Sequence, residues 1–112
     1  MEEILEKLLR IAGVEGALVV GKDGLVIASV GEFSPDPDSF GASVAELLNH
    51  FDILLQARGG AEKVSIHQEK GLLQLNAINE VTFLVVQAGS HTNLGRLRLD
   101  SEGVVAVLSE QL

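Results

Sequence analysis

The chain has 112 residues, a length that predicts one domain spanning residues 1–112. It has no cysteine, which excludes disulfides and thiolate metal sites. A net charge of −8, from 16 acidic and 8 basic residues, argues against nucleic acids or anionic membrane surfaces as partners.

The sequence also indicates where the protein is located and whether it can stack bases or sugars on aromatic side chains. No apolar run approaches the roughly 20 residues of a membrane span, and the segment Met1–Glu6 is acidic where a signal peptide would be basic. We therefore expect a soluble, cytoplasmic protein. The lack of Trp and Tyr argues against a stacking platform for bases or sugars.

The first predicted elements are a helix and a hairpin. Apolar residues at helical spacing predict a helix over Glu2–Ala12, which Gly13 ends. Two apolar runs flank the segment Gly21–Gly24, and Asp-Gly between such runs favours a hairpin because glycine supplies the positive φ of a tight turn. We predict strands at Gly16–Val20 and Leu25–Val30. Because both runs are apolar at nearly every position, the sheet should be covered on both faces.

A long helix is predicted next, beginning at Pro37 after an Asp36 cap and ending near Arg58. Its apolar stripe, expected to face the sheet, consists of Phe40, Val44, Leu47, Leu48, Phe51, Leu54 and Leu55. The opposite side mixes small, apolar and polar residues, among them Ala42, Ala45, Glu46, Asn49, Ile53 and Ala57. We predict that a helix of a partner subunit packs on this side. Plain exposure of single apolar residues is the alternative.

Three strands and a helix complete the chain. Ala61–Gln68 alternates apolar and polar residues and is predicted as a half-exposed strand. Gly71–Asn76 is predicted to continue the sheet. The strand Val81–Val86 should be central, because it is apolar on both faces. A cap within Ser90–Asn93 starts a last helix to about Glu110, with a break expected near Asp100–Gly103. Its inward side chains should be Leu94, Leu97, Val104, Val105 and Leu108. The order α-β-β-α-β-β-β-α predicts a three-layer α+β fold, with helices on both faces of one five-stranded, mostly antiparallel sheet.

Local patterns of common catalytic sites are missing from the sequence. There is no G-x-S-x-G and no nucleophilic Cys. His50, His67 and His91 fall in three different elements without ligand spacing, so we predict neither a metal nor a cofactor. Gln74 and Asn76 are candidates for a small-molecule pocket, although their alternation on a strand favours solvent exposure.

The hairpin resembles the first hairpin of Roadblock/dynein-light-chain domains. Those domains begin with G-x-x-G-A, found here at Gly13–Ala17, and continue with an apolar strand and an x-D-G turn, found at Lys22–Gly24. A second apolar strand then ends in Ala-Ser, as at Ala28–Ser29. The predicted order of elements matches that fold, which is similar to profilin-like sheets. Bacterial MglB-type regulators of small Ras-like GTPases look closest.

The resemblance implies a homodimer and a function. The half-exposed third strand would pair with its two-fold mate and the middle helices would lie side by side. The implied interface for the dimer or for another partner is Ala42, Ala45, Glu46, Asn49, Ile53, Ala57, Lys63, Ser65, Ile66 and His67. Such domains are non-catalytic platforms that bind small Ras-like GTPases, and some accelerate GTP hydrolysis without donating a catalytic residue. A heterodimer with another Roadblock protein, a small-molecule sensor and a cargo adaptor unrelated to GTPases are the alternatives.

Overall fold

Five strands form one antiparallel sheet in the computed structural model, which describes residues 1–60 and 62–112. The helices and strands are α1 (Glu2–Leu9), β1 (Val14–Gly21), β2 (Val26–Gly31), α2 (Pro37–Leu55), β3 (Lys63–Gln68), β4 (Gly71–Ala77), β5 (Thr82–Gly89) and α3 (Leu94–Gln111). The strand order is β2-β1-β5-β4-β3, and each neighbouring pair is antiparallel. This confirms the predicted fold, the order of elements and the central position of β5.

Apolar side chains cover the sheet on both faces. On one face, α1 and α3 pack over a core that includes Leu5, Leu8, Leu84, Leu97 and Leu108. On the other face, α2 packs over a core whose largest members are Leu18, Phe33, Leu48, Leu75 and Phe83. The sheet is thus the middle layer of three, as predicted. None of the helices in the described ranges combines the length and apolar character that crossing a membrane requires.

The β1–β2 hairpin closes through the predicted Asp-Gly turn. Gly24 adopts a φ of +89°, which side chains rarely allow, and Asp23 Oδ1 accepts a hydrogen bond of 3.0 Å from the Leu25 amide. Strand β1 is buried on both faces, as predicted. Strand β2 is an edge strand whose Ile27 is 42% exposed, so the prediction of full cover was wrong there.

The helices differ from the prediction in three ways. Helix α1 ends at Leu9 rather than Ala12, and Ala12 is exposed in the turn that leads to Gly13. Helix α2 gives way to a 3₁₀ turn at Gln56–Arg58. Helix α3 is continuous, so the predicted break near Asp100–Gly103 was wrong.

Two predicted starts were correct because they depend on local hydrogen bonds. Asp36 Oδ1 accepts a 2.8 Å bond from the Ser39 amide, and Asn93 Oδ1 accepts a 3.0 Å bond from the Arg96 amide. The predicted third strand began at Ala61, which lies outside the described residues. The described strand β3 begins at Lys63.

Candidate interaction surface

Helix α2 is fixed over the β1–β2 half of the sheet. Its backbone approaches the strands so closely at Gly41 that a Cβ there would collide with Val26 Cγ2. Further along, Asn49 Nδ2 donates a 3.1 Å hydrogen bond to the carbonyl oxygen of Lys22, and the Lys22 ammonium pairs with the Asp52 carboxylate. These contacts direct the packing of α2 toward β1 and β2.

The β3–β4 half of the same sheet face is only partly covered. Its apolar side chains touch the α2-side core but remain half-buried; they are Val64, Ile66, Leu73 and Ala77. Each would gain apolar burial if another element lay across this half of the sheet. The chain therefore leaves room on this face for a second helix.

The last turn of α2 carries three consecutive exposed aliphatic residues. Ile53 is 75% exposed, Leu54 is 77% exposed and Leu55 is 37% exposed. Neighbouring residues of a helix point about 100° apart, so no single packing direction could bury all three. Their exposure means that this turn lies beyond the sheet that covers the rest of the helix.

Strand β3 lies at the edge of the sheet and follows α2 in the chain. It pairs with β4 on one side, and no described strand pairs with its other side. An exposed edge of backbone N–H and C=O groups is a template for pairing with another chain. We call the combination of Ile53, Leu54, Leu55, Val64, Ile66 and Leu73 with this free edge the α2–β3 surface.

The ten residues of the sequence-based interface prediction fall in three environments. Exposed residues are Ala42, Glu46, Asn49, Ile53, Ala57, Lys63, Ser65 and His67. Ile66 is half-buried against the α2-side core. Ala45 is only 3% exposed, so neighbouring atoms of its own chain already cover it. The set thus spreads over more than the α2–β3 surface.

Residues of the α2–β3 surface that the prediction left out are Leu54, Leu55, Val64 and Leu73. Leu54 was expected to face the sheet, and its 77% exposure shows that this expectation was wrong. A signal was present in the sequence, because a run of three aliphatic residues exceeds what one helical stripe can bury.

A hydrogen-bonded row of polar side chains lies under α3 on the opposite sheet face. Ser65 Oγ donates a 2.7 Å bond to Gln74 Oε1, and Gln74 Nε2 donates a 3.0 Å bond to Asn76 Oδ1. Gln74 is 3% exposed and Asn76 is 4% exposed, so the expectation that they face solvent was wrong. Together with Lys63, Arg98 and other side chains they line a cavity of about 330 Å³.

Charged pairs connect helix α3 to its surroundings. Lys63 Nζ lies 2.7 Å from Glu102 Oε1, and this hydrogen bond holds the pKa of Glu102 below its ordinary value. Arg96 Nε lies 2.8 Å from Asp100 Oδ2, a hydrogen bond that raises the pKa of Arg96. The Lys63–Glu102 pair ties α3 to the edge strand.

Titratable side chains do not gather into a reactive cluster in the described parts of the chain. The three histidines, His50, His67 and His91, are exposed on separate elements. Within residues 1–60 and 62–112, no group of three or more His, Asp and Glu side chains could hold a metal ion.

Known proteins resemble this chain in sequence and in structure. A family model described as the Roadblock/LC7 domain matches residues 1–88. The uncharacterized protein MJ0714 of Methanocaldococcus jannaschii is 34% identical over 101 residues, which are 88% of this chain and 85% of that protein.

Two solved structures show the likeness of the fold. MglB of Myxococcus xanthus has a TM-score of 0.89 and 22% identity, covering 96% of this chain and 84% of that chain. A structure described as MglB with tetrameric arrangement has a TM-score of 0.87 and 23% identity, covering 97% of this chain and 85% of that chain.

Proposed function

Because the chain belongs to the Roadblock/LC7 domain family, we propose that it is a non-catalytic, homodimeric platform that binds and regulates a small Ras-like GTPase in the cytoplasm. The observation that carries this proposal is the α2–β3 surface. Its exposed aliphatic residues, half-covered sheet face and free strand edge all lie within one stretch of chain and its neighbour β4.

A second copy of the chain fits each part of this surface. Two β3 strands related by a two-fold axis would pair antiparallel and extend the sheet across both chains. The partner's α2 would then cover the half-buried residues Val64, Ile66 and Leu73, while the last turn of each α2 buries Ile53 and Leu54 against the other. Such an interface is self-complementary, as a closed dimer requires.

Membership of the Roadblock/LC7 family supports the proposed regulatory role, and no reactive site of the described residues is invoked for it. A dimer of this chain would present two α2 helices side by side, and we expect the GTPase to contact them. Exposed polar residues such as Glu46 and His50 on α2 would then remain free to contact a third protein.

The dimer is tested by size-exclusion chromatography with light scattering. We expect twice the 11.9 kDa mass of the chain for the wild type, and a monomer for Ile53→Asp. Leu25→Asp is a matched control, because Leu25 is 66% exposed and lies at the hairpin near the other edge of the sheet. A wild type that stays monomeric at high concentration, or a control that dissociates equally, would contradict the proposed interface.

The GTPase partner is tested with the small Ras-like GTPase encoded nearest to this gene. We expect the dimer to bind it in one nucleotide state and to change its rate of GTP hydrolysis, with both effects lost in Ile53→Asp. A stable dimer that neither binds such a GTPase nor alters hydrolysis would refute the regulatory role and favour an adaptor for other cargo.

A second candidate function is a small-molecule sensor, which the cavity beside α3 favours. Two amide side chains that are each at least 96% buried line it, and amides of this kind orient polar ligands. A panel of small polar metabolites should then raise the melting temperature of the wild type but not of Asn76→Ala. No shift with any compound would remove this candidate.

A further inference from the structure

A groove runs between α1 and α3 on the sheet face opposite α2. It encloses about 710 Å³ and has an apolar floor to which Ile4, Ile11 and Val104 contribute. On its α3 side, Leu99 is 67% exposed and Val107 is 41% exposed. Exposed aliphatic residues beside a concave apolar floor are typical of a surface that binds another protein.

The α3 wall of the groove has the spacing of a helix-binding site. Leu99, Gly103 and Val107 follow each other at intervals of four residues and so lie along one line of the helix. This line is about 12 Å long, close to the roughly 10.5 Å between the i and i+7 anchors of a bound amphipathic helix. Gly103 leaves the middle of this line without a side chain, and a Cβ there would find no atom within 4 Å.

The charge of the groove is opposite to that of the protein. Lys7, Arg10 and Arg96, three of the eight basic residues, line it. Of the sixteen acidic residues only Asp100 is found among the described lining residues, and its carboxylate is paired with Arg96. A partner with acidic side chains beside its apolar face would therefore be attracted here and not by most of the remaining surface.

We propose that the α1–α3 groove binds an amphipathic helix of a partner protein, with apolar side chains against Leu99, Gly103 and Val107 and acidic side chains beside Lys7, Arg10 and Arg96. A concave groove fits a helix better than a lipid surface, and the net charge of −8 opposes binding to anionic membranes. This site lies on the other side of the sheet from the α2–β3 surface, so the two can be tested separately.

The proposal is tested by panning the full chain against a displayed library of helical peptides with a fixed apolar face and randomised charged flanks. We expect enrichment of acidic peptides. Their affinity should fall at least about tenfold for the double variant Lys7→Glu, Arg10→Glu, and should also fall as the salt concentration is raised. Gly103→Leu should block binding by placing a bulky side chain in the middle of the line, at a position where the structure leaves space for that side chain.

Leu25→Asp, at an exposed residue of the hairpin turn outside both surfaces, is the control and should leave peptide binding unchanged. Failure to enrich any binder, enrichment of basic sequences, or binding that survives both groove variants would overturn the proposal. So would co-sedimentation of the wild type with phosphatidylserine vesicles that the same groove variants abolish, because this would identify a lipid surface as the occupant.

Discussion

The side chain of Asn49 in α2 donates a 3.1 Å hydrogen bond to the backbone carbonyl of Lys22 in the hairpin turn, 27 residues earlier in the chain. This bond links the middle of the helix to the turn. About one helical turn later, the Lys22–Asp52 ion pair makes a second link between α2 and the same turn. Asn49 thus contributes to the position of α2 within its own chain.

We expect Asn49→Ala to lower the free energy of unfolding by about 1 kcal/mol, because the carbonyl of Lys22 loses a donor. The measurement is urea unfolding at a fixed protein concentration, followed by circular dichroism. Glu46→Ala, at an exposed residue of the same helix, is the control and should change stability by less than about 0.5 kcal/mol. Equal effects of the two substitutions would show that the bond to Lys22 contributes nothing.

A pair of glycines in helices should respond to alanine in opposite directions. At Gly41 a Cβ would collide with Val26 Cγ2, whereas at Gly103 it would meet open space. Alanine is the better helix former by about 1 kcal/mol, so Gly103→Ala should stabilise the protein by roughly that amount. Gly41→Ala should instead destabilise it by about 1 kcal/mol, since overpacking costs more than the helix gains.

Thermal unfolding of both variants at equal protein concentration measures this difference. The melting temperature should rise for Gly103→Ala and fall for Gly41→Ala. A rise for both would mean that Val26 moves aside and that the close approach of α2 to β1 and β2 does not depend on glycine at position 41.

Features set by local chemistry could be predicted from the sequence. The Asp23–Gly24 turn, the Asp36 cap and the central strand over the apolar run each depend on residues close together in the chain, and the structure has all three. The strand begins at Thr82 rather than at the predicted Val81, which is 60% exposed. The half-exposed character of β3 also followed from the alternation of its residues.

Features set by contacts distant in sequence could not be predicted in this way. The run of three aliphatic residues signals that some of them are exposed, but the 77% exposure of Leu54 in particular depends on how α2 packs over the hairpin at Gly41 and Asn49. Gln74 and Asn76 are buried because α3 covers their side of β4. Helix α3 stays continuous through Gly103 because packing of Leu97, Val104 and Leu108 outweighs the low helix propensity of glycine.

In the hydrogen-bonded row of polar side chains under α3, the buried Asn76 end should contribute more to the free energy of unfolding than the Ser65 end. Asn76→Ala removes the acceptor for Gln74 Nε2 in a buried position and should cost about 1–3 kcal/mol. Ser65→Ala removes the donor of a part-buried bond at the end where Ser65 itself is exposed, and should cost less, about 0.5–1 kcal/mol. Urea unfolding of the two variants checks the order, and a larger loss for Ser65→Ala would contradict it.

The cap of α2 should make stability depend on pH in the acidic range. The Ser39 amide donates a 2.8 Å hydrogen bond to Asp36 Oδ1, and the Ser39 hydroxyl donates a 3.0 Å hydrogen bond to Asp36 Oδ2. The amide bond most of all, and then the hydroxyl bond, hold the pKa of Asp36 below its ordinary value. A carboxylate whose pKa is lowered by folding stabilises the folded state above its unfolded-state pKa. That stabilisation is lost as the pH falls through the lowered, folded-state pKa.

Asp36→Asn isolates this effect, because Asn caps helices about as well as Asp but cannot titrate in this range. Between about pH 7 and about pH 2, the wild type should therefore lose more free energy of unfolding than Asp36→Asn. The measurement is urea unfolding at a series of pH values, at constant ionic strength and protein concentration. Parallel pH profiles for the two proteins would show that the ionised form of Asp36 gives the cap no advantage over a neutral side chain.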